Sequence, residues 1–293
     1  MLIMDYLNLC QNISDRVKSV LIKKLSNTGF IGDTCLNPND LKSTHAIDES
    51  AIEIIMGELK NYDCNIFMES VPTDIKENAD FSIYVDPVDG SLNWDRGVGD
   101  PCIVIAISQK TKNIAFKDLT FGFVEGLRSG DVYYADNGKS FFINELTGKK
   151  NQITCKGKSK LSESTAYLRP GYSLAKNQFE GSFPIFFLSK DIRAVDNTGI
   201  EICEIARNAA DILIETRKES DFYNLLAYPI LKNAGGFLSD LKGVPFDDQI
   251  IDINRKYDYI ACNNPELLRE VIETLNEFVK THKYSYENIK FEF

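Results

Sequence analysis

The sequence lacks the features that would place it in a membrane or in an oxidising compartment. None of its apolar runs approaches the roughly 20 residues that span a bilayer. The opening residues 1–5 carry neither a basic segment nor a long apolar one, so we expect no signal peptide in them. The seven cysteines are odd in number and include no Cys-x-x-Cys pair, which disfavours a zinc site and a disulfide framework. We therefore expect a cytoplasmic protein with no membrane partner.

Basic residues are also scarce relative to acidic ones. The chain has 33 Lys and Arg against 43 Asp and Glu, which gives a formal net charge of −10. Nucleic-acid backbones select clustered Lys and Arg, so the balance argues against a nucleic-acid polymer as partner. An acidic chain that handles phosphates needs a cation to invert the local field. The length of 293 residues, with 43% hydrophobic and 26% charged residues, is that of a globular protein with a substantial core.

The first part of the chain, residues 1–147, predicts helices followed by strands. Apolar residues recur at helical spacing in 6–25 and 47–59. Strand-like segments follow at 64–68, 81–85, 102–108, 119–124, 131–134 and 140–143, mostly separated by Gly, Asn or charged turns. This order indicates a helix layer packed on a largely antiparallel sheet.

The second part, residues 148–293, predicts an α/β unit because strand and helix patterns alternate. The predicted strands are 165–168, 184–188, 192–195, 210–215 and 257–262, and the predicted helices lie near 173–179, 199–208, 222–233 and 265–279.

The segment Asp86-Pro87-Val88-Asp89-Gly90-Ser91 carries the clearest chemical signal. It follows the apolar run 81–85, which is typical of a buried strand. Two carboxylates at a strand end suit a hard cation such as Mg²⁺. Pro87 restricts one backbone angle and Gly90 frees another, so successive backbone amides can point at one place. The same residue types also form ordinary turns, and on its own the segment is equally compatible with a loop.

Glu69 and Asp48 are further acidic candidates. Glu69 directly follows the predicted strand 64–68, so neighbouring strands would bring Glu69, Asp86 and Asp89 to one edge of a sheet. Like charges this close require a cation or a retained proton; an isolated Glu69 would instead point into solvent. Thr44 is a candidate N-cap of the helix that contains Asp48, and capping alone explains both residues.

Together these patterns resemble the inositol monophosphatase family, which includes archaeal fructose-1,6-bisphosphatases and 3′(2′)-nucleotide phosphatases. The family signature Asp-Pro-Ile/Val-Asp-Gly-Ser/Thr, followed by Asn and an aromatic residue, matches 86–94. Glu69 stands where the family has a Glu-Glu pair, with Ser70 in place of the second Glu. The segment 193–217 and the turn 234–236 also match.

The resemblance implies a layered αβαβα sandwich, of mixed α+β and α/β class, and a phosphomonoesterase that uses two or three Mg²⁺ ions. Glu69, Asp86 and the carbonyl of Val88 would hold the first ion. Asp86 and Asp89 would share the second, and a third, weaker ion would touch Glu69. Asp48 and Ser91 would form a catalytic dyad that orients and deprotonates the attacking water.

The resemblance further implies that the amides of Gly90 and Ser91 bind phosphate. The substrate would be a small phosphorylated sugar or polyol, inositol 1-phosphate or fructose 1,6-bisphosphate. Asp196 and Asn197 match the substrate loop and Glu215 matches a sugar-hydroxyl acceptor. Arg193 precedes that loop, and a structural ion pair would explain it equally well.

Two other functions remain open at this point. One is a nucleotidase acting on 3′-phosphoadenosine 5′-phosphate, and the other is a non-catalytic binding protein on the same fold. By analogy with the family the protein is expected to be a homodimer.

A second family position also departs from the pattern. The Asp that completes the second metal site falls on Tyr223 when counted back from the glycines at 235–236. Asp221 and Asn224 flank it, and Pro229 predicts a shifted or kinked helix. We predict Asp221 as the ligand because a dication requires charge as well as oxygen; the alternative is that Asp221 only caps the helix.

Overall fold

The structure is a computed structural model, and it describes residues 5–28, 46–169, 183–216 and 220–281. The predicted cap at Thr44, the predicted helix 173–179 and the end of the chain after Thr281 lie outside the described residues. Two sheets and seven α-helices are present in the described ranges.

The first sheet has seven strands in the order of the chain. They are β1 (Cys64–Met68), β2 (Phe81–Asp89), β3 (Cys102–Ser108), β4 (Leu119–Gly126), β5 (Val132–Asp136), β6 (Lys139–Asn144) and β7 (Lys149–Ile153). Strands β1 and β2 are parallel and every other neighbouring pair is antiparallel. The prediction of a largely antiparallel sheet is therefore confirmed, and β7 adds a strand beyond residue 147.

The second sheet has five strands in the order β11-β12-β10-β8-β9. They are β8 (Thr165–Leu168), β9 (Asp191–Arg193), β10 (Ile212–Glu215), β11 (Phe237–Ser239) and β12 (Tyr259–Cys262).

The helices form three layers around the sheets. They are α1 (Tyr6–Thr28), α2 (Ala46–Leu59), α3 (Ser91–Arg96), α4 (183–188), α5 (Thr198–Ala206), α6 (Tyr228–Asn233) and α7 (Pro265–Thr281). Helices α1 and α2 cover one face of the first sheet, α5 and α6 lie between the two sheets, and α7 covers the second sheet. The αβαβα sandwich is confirmed. Among the described helices, none combines the length and apolarity needed to cross a membrane.

Successive side chains of the central strands point to opposite faces of the first sheet, which explains why helices pack on both faces. Ile83 of β2 packs with α1 and α2, whereas its neighbour Tyr84 packs with α5 and α6 on the opposite face. Every residue of β2 and β3 is buried, since both faces of the sheet are covered. The two strands therefore read as continuous apolar runs that end in polar residues.

Two predicted elements in the second part of the chain differ from the structure. Residues 184–188 form part of α4 and not a strand; the prediction was wrong because a short apolar run has no period that separates strand from helix. The segment 222–233 is not one helix: a 3₁₀ turn at Tyr223–Leu225 precedes α6, which carries Pro229 in its first turn. Pro is tolerated in the first turn of a helix because its missing N–H needs no partner there, so the predicted break is confirmed.

Candidate active site

The parallel pairing of β1 and β2 brings their following carboxylates to one edge of the first sheet. Met68 is paired with Val85, and the Glu69 amide donates to the Val85 carbonyl at 3.0 Å. Glu69 and Asp86 thus follow a pair of aligned residues on two adjacent strands, which places them side by side. Asp86 is buried, and its Oδ1 accepts a hydrogen bond of 3.1 Å from the Val88 amide. The predicted meeting of these two carboxylates is present in the structure.

A bulge in β2 places Asp89 beside them. Asp86 is paired with Val104 and Asp89 with Cys102, so β2 has one extra residue between the two pairs. The Gly199 amide, in the first turn of α5, donates to Asp89 Oδ2 at 2.7 Å. A Cβ on Gly199 would lie 2.6 Å from Val104 Cγ2, so only glycine allows this approach. Asp89 is therefore oriented by a helix that lies between the two sheets.

All three carboxylates have raised pKa values, and burial is the largest cause for each. Burial, followed by the charges of Asp221 and Asp48, raises the pKa of Glu69 to about 8. Burial, followed by the charge of Glu69, raises the pKa of Asp86 well above its ordinary value. Burial raises the pKa of Asp89 to about 7, although the Gly199 amide and Arg169 oppose that shift. Such a group of buried, oxygen-only donors is stabilised by a divalent cation.

The donor chemistry therefore fits Mg²⁺. In the part of the chain that the structure describes, no group of three or more His, Cys, Asp or Glu side chains is placed so that it could hold a metal ion. Backbone oxygen, water and phosphate oxygen are the remaining donors that Mg²⁺ accepts, and it usually keeps several waters.

Ser91 and Asp48 are in direct contact. Ser91 begins α3 and Asp48 lies in the first turn of α2, yet Ser91 Oγ is 2.8 Å from Asp48 Oδ1. Ser91 Oγ also lies 2.9 Å from the Val88 carbonyl. The contact joins two segments that are 43 residues apart in sequence. Stabilisation of the helix terminus by Asp48 and this contact with Ser91 are compatible.

Asp221 lies near enough to the carboxylate group for its charge to act on Glu69 and Asp86. Its charge is the largest Coulombic contribution to the raised pKa of Glu69, and it also raises the pKa of Asp86. Asp221 Oδ1 accepts from the Tyr223 amide at 3.0 Å, and Oδ2 lies 3.3 Å from Lys256 Nζ. Asp221 thus stabilises the 3₁₀ turn and faces the site as well. Asn224 is half-buried on the same turn.

The predicted substrate loop connects β9 to α5. Asp196 has a left-handed backbone with φ of 64°, and its amide donates to Glu201 Oε1 at 2.9 Å. Asn197 is fully buried, and its Nδ2 donates to the Asp89 carbonyl at 3.0 Å. Arg193 lies at the exposed edge and forms an ion pair with Asp191, the alternative that the sequence had left open.

A buried arginine connects these acidic residues. Arg169 Nη1 lies 3.4 Å from Asp196 Oδ1 and 3.5 Å from Glu215 Oε2, and its Nη2 pairs with Glu201. Burial alone would lower the pKa of Arg169, but the surrounding carboxylates raise it. Glu215 is fully buried and also accepts from Ser220 Oγ at 3.1 Å. Arg169 is thus the cation that holds Asp196 and Glu215 in place.

Sequence reasoning did not identify Arg169, Glu201, Asn93 or Lys256. Arg169 directly follows β8, the same strand-end signal that identified Glu69 and Asp86, and Glu201 interrupts an apolar helix face. Asn93 lies within the matched motif but received no role. Lys256 has no local signal, because only tertiary contact brings it to Asp221.

The chain is similar to known phosphatases over most of its length. Residues 8–280 match the family model described as the inositol monophosphatase family. The bifunctional NADP phosphatase/NAD kinase of Methanococcus maripaludis is 28% identical over 214 residues, which cover 67% of this chain but 36% of that protein. The fructose-1,6-bisphosphatase of Pyrococcus furiosus is 24% identical over 236 residues, 79% of this chain and 83% of that protein.

Solved structures share the fold. The IMPase of Thermotoga maritima has a TM-score of 0.73 at 20% identity, and the alignment covers 94% of this chain and 99% of that one. At this identity the likeness supports the αβαβα architecture alone.

Proposed function

Because the chain belongs to the inositol monophosphatase family, we propose that it is a Mg²⁺-dependent phosphomonoesterase acting on small phosphorylated sugars or polyols. The observation that carries this proposal is the contact of 2.8 Å between Ser91 Oγ and Asp48 Oδ1, located beside three carboxylates with raised pKa values. A hydroxyl held by a carboxylate next to an oxygen-only donor group suits the activation of water and not a side-chain nucleophile.

The residues that would hold Mg²⁺ are those that the resemblance to the family implies, together with Asp221. Glu69, Asp86 and the Val88 carbonyl would bind one ion; Asp86, Asp89 and Asp221 would bind a second; Glu69 would touch a third. When bound, Mg²⁺ supplies the positive charge that lowers the pKa of the attacking water and stabilises the leaving oxygen.

The chain's own residues then orient water and phosphate. Ser91 Oγ accepts a hydrogen bond from the attacking water while its own hydroxyl donates to Asp48, which takes up the proton. The amides of Gly90 and Ser91 would donate to phosphate oxygens. Direct attack by water predicts inversion at phosphorus and no covalent phosphoenzyme.

The substrate side would be formed by Asp196, which pairs with Arg169; Glu215 is buried against the same arginine, so it would reach a substrate hydroxyl only by giving up part of that contact. Carboxylates are hydrogen-bond acceptors, so they suit the hydroxyls of a sugar or polyol. Inositol 1-phosphate and fructose 1,6-bisphosphate are the proposed substrates. The name of the Methanococcus relative adds NADP⁺ as a candidate, because its 2′-phosphate is also a monoester of a sugar hydroxyl.

A substrate panel tests the proposal. Phosphate release is measured for inositol 1-phosphate, fructose 1,6-bisphosphate, NADP⁺ and 3′-phosphoadenosine 5′-phosphate, each with Mg²⁺ and with EDTA. We expect Mg²⁺-dependent release from a sugar or polyol phosphate. Release from 3′-phosphoadenosine 5′-phosphate alone would favour the nucleotidase alternative, and no release from any compound would favour a non-catalytic binding protein.

The cytoplasmic location and the homodimer remain predictions, as does the division of the chain into 1–147 and 148–293. Light scattering on the purified protein measures the assembly directly.

A further inference from the structure

The loop that precedes α5 is fastened to the metal-binding motif by two asparagine side chains. Asn93 Nδ2 donates to the Val195 carbonyl at 2.7 Å and to Asn197 Oδ1. Asn197 Nδ2 in turn donates to the Asp89 carbonyl at 3.0 Å. We call Asn93 and Asn197 the amide latch. It connects residues about a hundred positions apart, so it joins the two parts of the molecule at the site itself.

The space around Asn197 is shaped by two glycines with positive φ. A Cβ on Gly90 would lie 2.1 Å from Asn197 Nδ2, and a Cβ on Gly99 would lie 2.9 Å from Asn197 Oδ1. Asn197 has no exposed surface, so its side chain is enclosed between the two turns. An enclosed amide whose donor and acceptor are both bonded contributes to orientation and does not present itself to a substrate.

The latch acts on a metal-ligand candidate and on the substrate loop together. Asp89 is held at its carbonyl by Asn197 and at Oδ2 by the Gly199 amide. Among the described residues, the hydrogen bonds to the Asp89 carboxylate come from the Gly199 amide and the Cys102 thiol and both go to Oδ2, so Oδ1 is the oxygen left for a cation. Asp196, directly before Asn197, has a left-handed backbone, which is uncommon for residues other than glycine.

We propose that Asn197 is a positioning residue that sets the second metal site and the substrate loop at the same time. Loss of its donor releases the Asp89 backbone and lets Asp196 relax, so Mg²⁺ affinity and substrate affinity fall together. The inference rests on the proposed function, and it assigns Asn197 to the support of Asp89 instead of to direct substrate contact.

The test compares Asn197→Asp with Asn65→Asp. The first substitution keeps the size of the side chain and its acceptor for Asn93, but it removes the donor to Asp89. Asn65 is an equally buried amide whose Nδ2 donates to Ser82 Oγ at 3.2 Å and to the Thr111 carbonyl at 3.1 Å. It lies on β1, four residues before Glu69 and so roughly 13 Å away along the strand. The control therefore has the same chemistry away from the site.

Mg²⁺ binding is measured without substrate, from the shift of the melting temperature in a Mg²⁺ titration, and KM is measured separately. We expect Asn197→Asp to weaken Mg²⁺ binding about tenfold or more and to raise KM. Asn65→Asp should lower the melting temperature but leave Mg²⁺ affinity within about twofold of wild type, since distant buried sites act independently. If Asn197→Asp does not fold, Gly99→Ala replaces it in the test. The added Cβ crowds Asn197 Oδ1, so this variant should also bind Mg²⁺ more weakly than wild type.

Unchanged Mg²⁺ affinity and KM in the folded Asn197→Asp or Gly99→Ala protein would overturn the inference. A wild-type protein that binds Mg²⁺ but hydrolyses nothing in the panel would overturn only the proposed function, because the Mg²⁺ titration still compares the two variants. A wild-type protein whose melting temperature does not respond to Mg²⁺ would overturn both.

Discussion

Ser91 Oγ lies 2.8 Å from Asp48 Oδ1, which joins the first turn of α2 to the start of α3 at the carboxylate edge. If this pair activates water, Asp48→Asn and Ser91→Ala should each lower kcat by about 10²–10⁴-fold, the usual contribution of a positioned base. KM should change much less, because the proposed roles concern the water and not the sugar. Steady-state kinetics at saturating Mg²⁺ measure both constants.

Ser91→Thr provides the matched control for that prediction. Threonine keeps the hydroxyl, and the family signature admits it at this position, so kcat should remain within about tenfold of wild type. The double variant Asp48→Asn/Ser91→Ala should be hardly slower than either single variant, since residues that act as a unit are not additive. A Ser91→Ala enzyme with wild-type kcat would exclude the dyad.

Substitutions of Asp221 and Asn224 should have different effects on the Mg²⁺ dependence of the rate, since we predict only Asp221 as a ligand of the second metal site. Asp221→Ala removes a charge that faces Glu69 and Asp86, so the Mg²⁺ concentration for half-maximal rate should rise about tenfold or more. Asn224→Ala removes only a neutral amide and should leave this concentration nearly unchanged. Rate measured against Mg²⁺ concentration distinguishes the two. The reverse order would assign the ligand to Asn224 and leave Asp221 as a cap.

Local sequence signals were sufficient for the parts of the site that follow one another along the chain. Glu69 and Asp86 were predicted to meet because each follows a buried apolar run, and the register of Met68 with Val85 confirms that the two strands are neighbours. Pro229 likewise predicted the break before α6, because the lack of a backbone N–H is a local property.

The remainder of the site depends on packing between distant segments. The amide latch spans 104 residues, and Arg169 reaches carboxylates from three different segments. Contacts of this kind leave no periodic pattern in the sequence. They depend on how the two sheets pack together, whereas a periodic pattern reports only the spacing along one strand or helix. Residues 184–188 show the same limit at the level of secondary structure, since only tertiary context selects helix over strand there.

Lys256 is predicted to weaken the second metal site. Its Nζ lies 3.3 Å from Asp221 Oδ2, so a cation bound by Asp221 must displace or repel this ammonium group. Lys256→Gln should therefore tighten Mg²⁺ binding by at most about fivefold, because partly exposed ion pairs contribute about 0.2–1 kcal/mol. The measurement is the Mg²⁺-dependent shift of the melting temperature.

Lys117→Gln is the control for Lys256→Gln. Lys117 pairs with Asp248 at an exposed position outside the carboxylate group, so its removal should leave Mg²⁺ binding unchanged. Weaker binding in Lys256→Gln would show that the lysine assists the site, for example by orienting Asp221.

The metal-free protein should lose stability as pH rises, and Mg²⁺ should reverse this trend. The pKa of Glu69 is raised from 4.5 to about 8 and that of Asp89 from 3.8 to about 7, chiefly by burial. Between about pH 4 and pH 8 the folded chain thus retains protons that the unfolded chain has released, so this contribution to stability is present at low pH and is lost as pH rises. Mg²⁺ binds the ionised carboxylates, and it should raise the melting temperature more at about pH 8 than at about pH 5.

Melting temperatures of wild type and Glu69→Gln in EDTA isolate this effect from the other titrating groups. Glutamine cannot ionise, so the variant should gain stability relative to wild type as pH rises from about 5 to about 8, and it should respond less to Mg²⁺. Glu49→Gln, at an exposed position of α2, is the control variant for loss of a carboxylate. If the difference between wild type and Glu69→Gln is the same at both ends of this range, Glu69 does not titrate there, and the repulsion among the buried carboxylates is relieved without Mg²⁺.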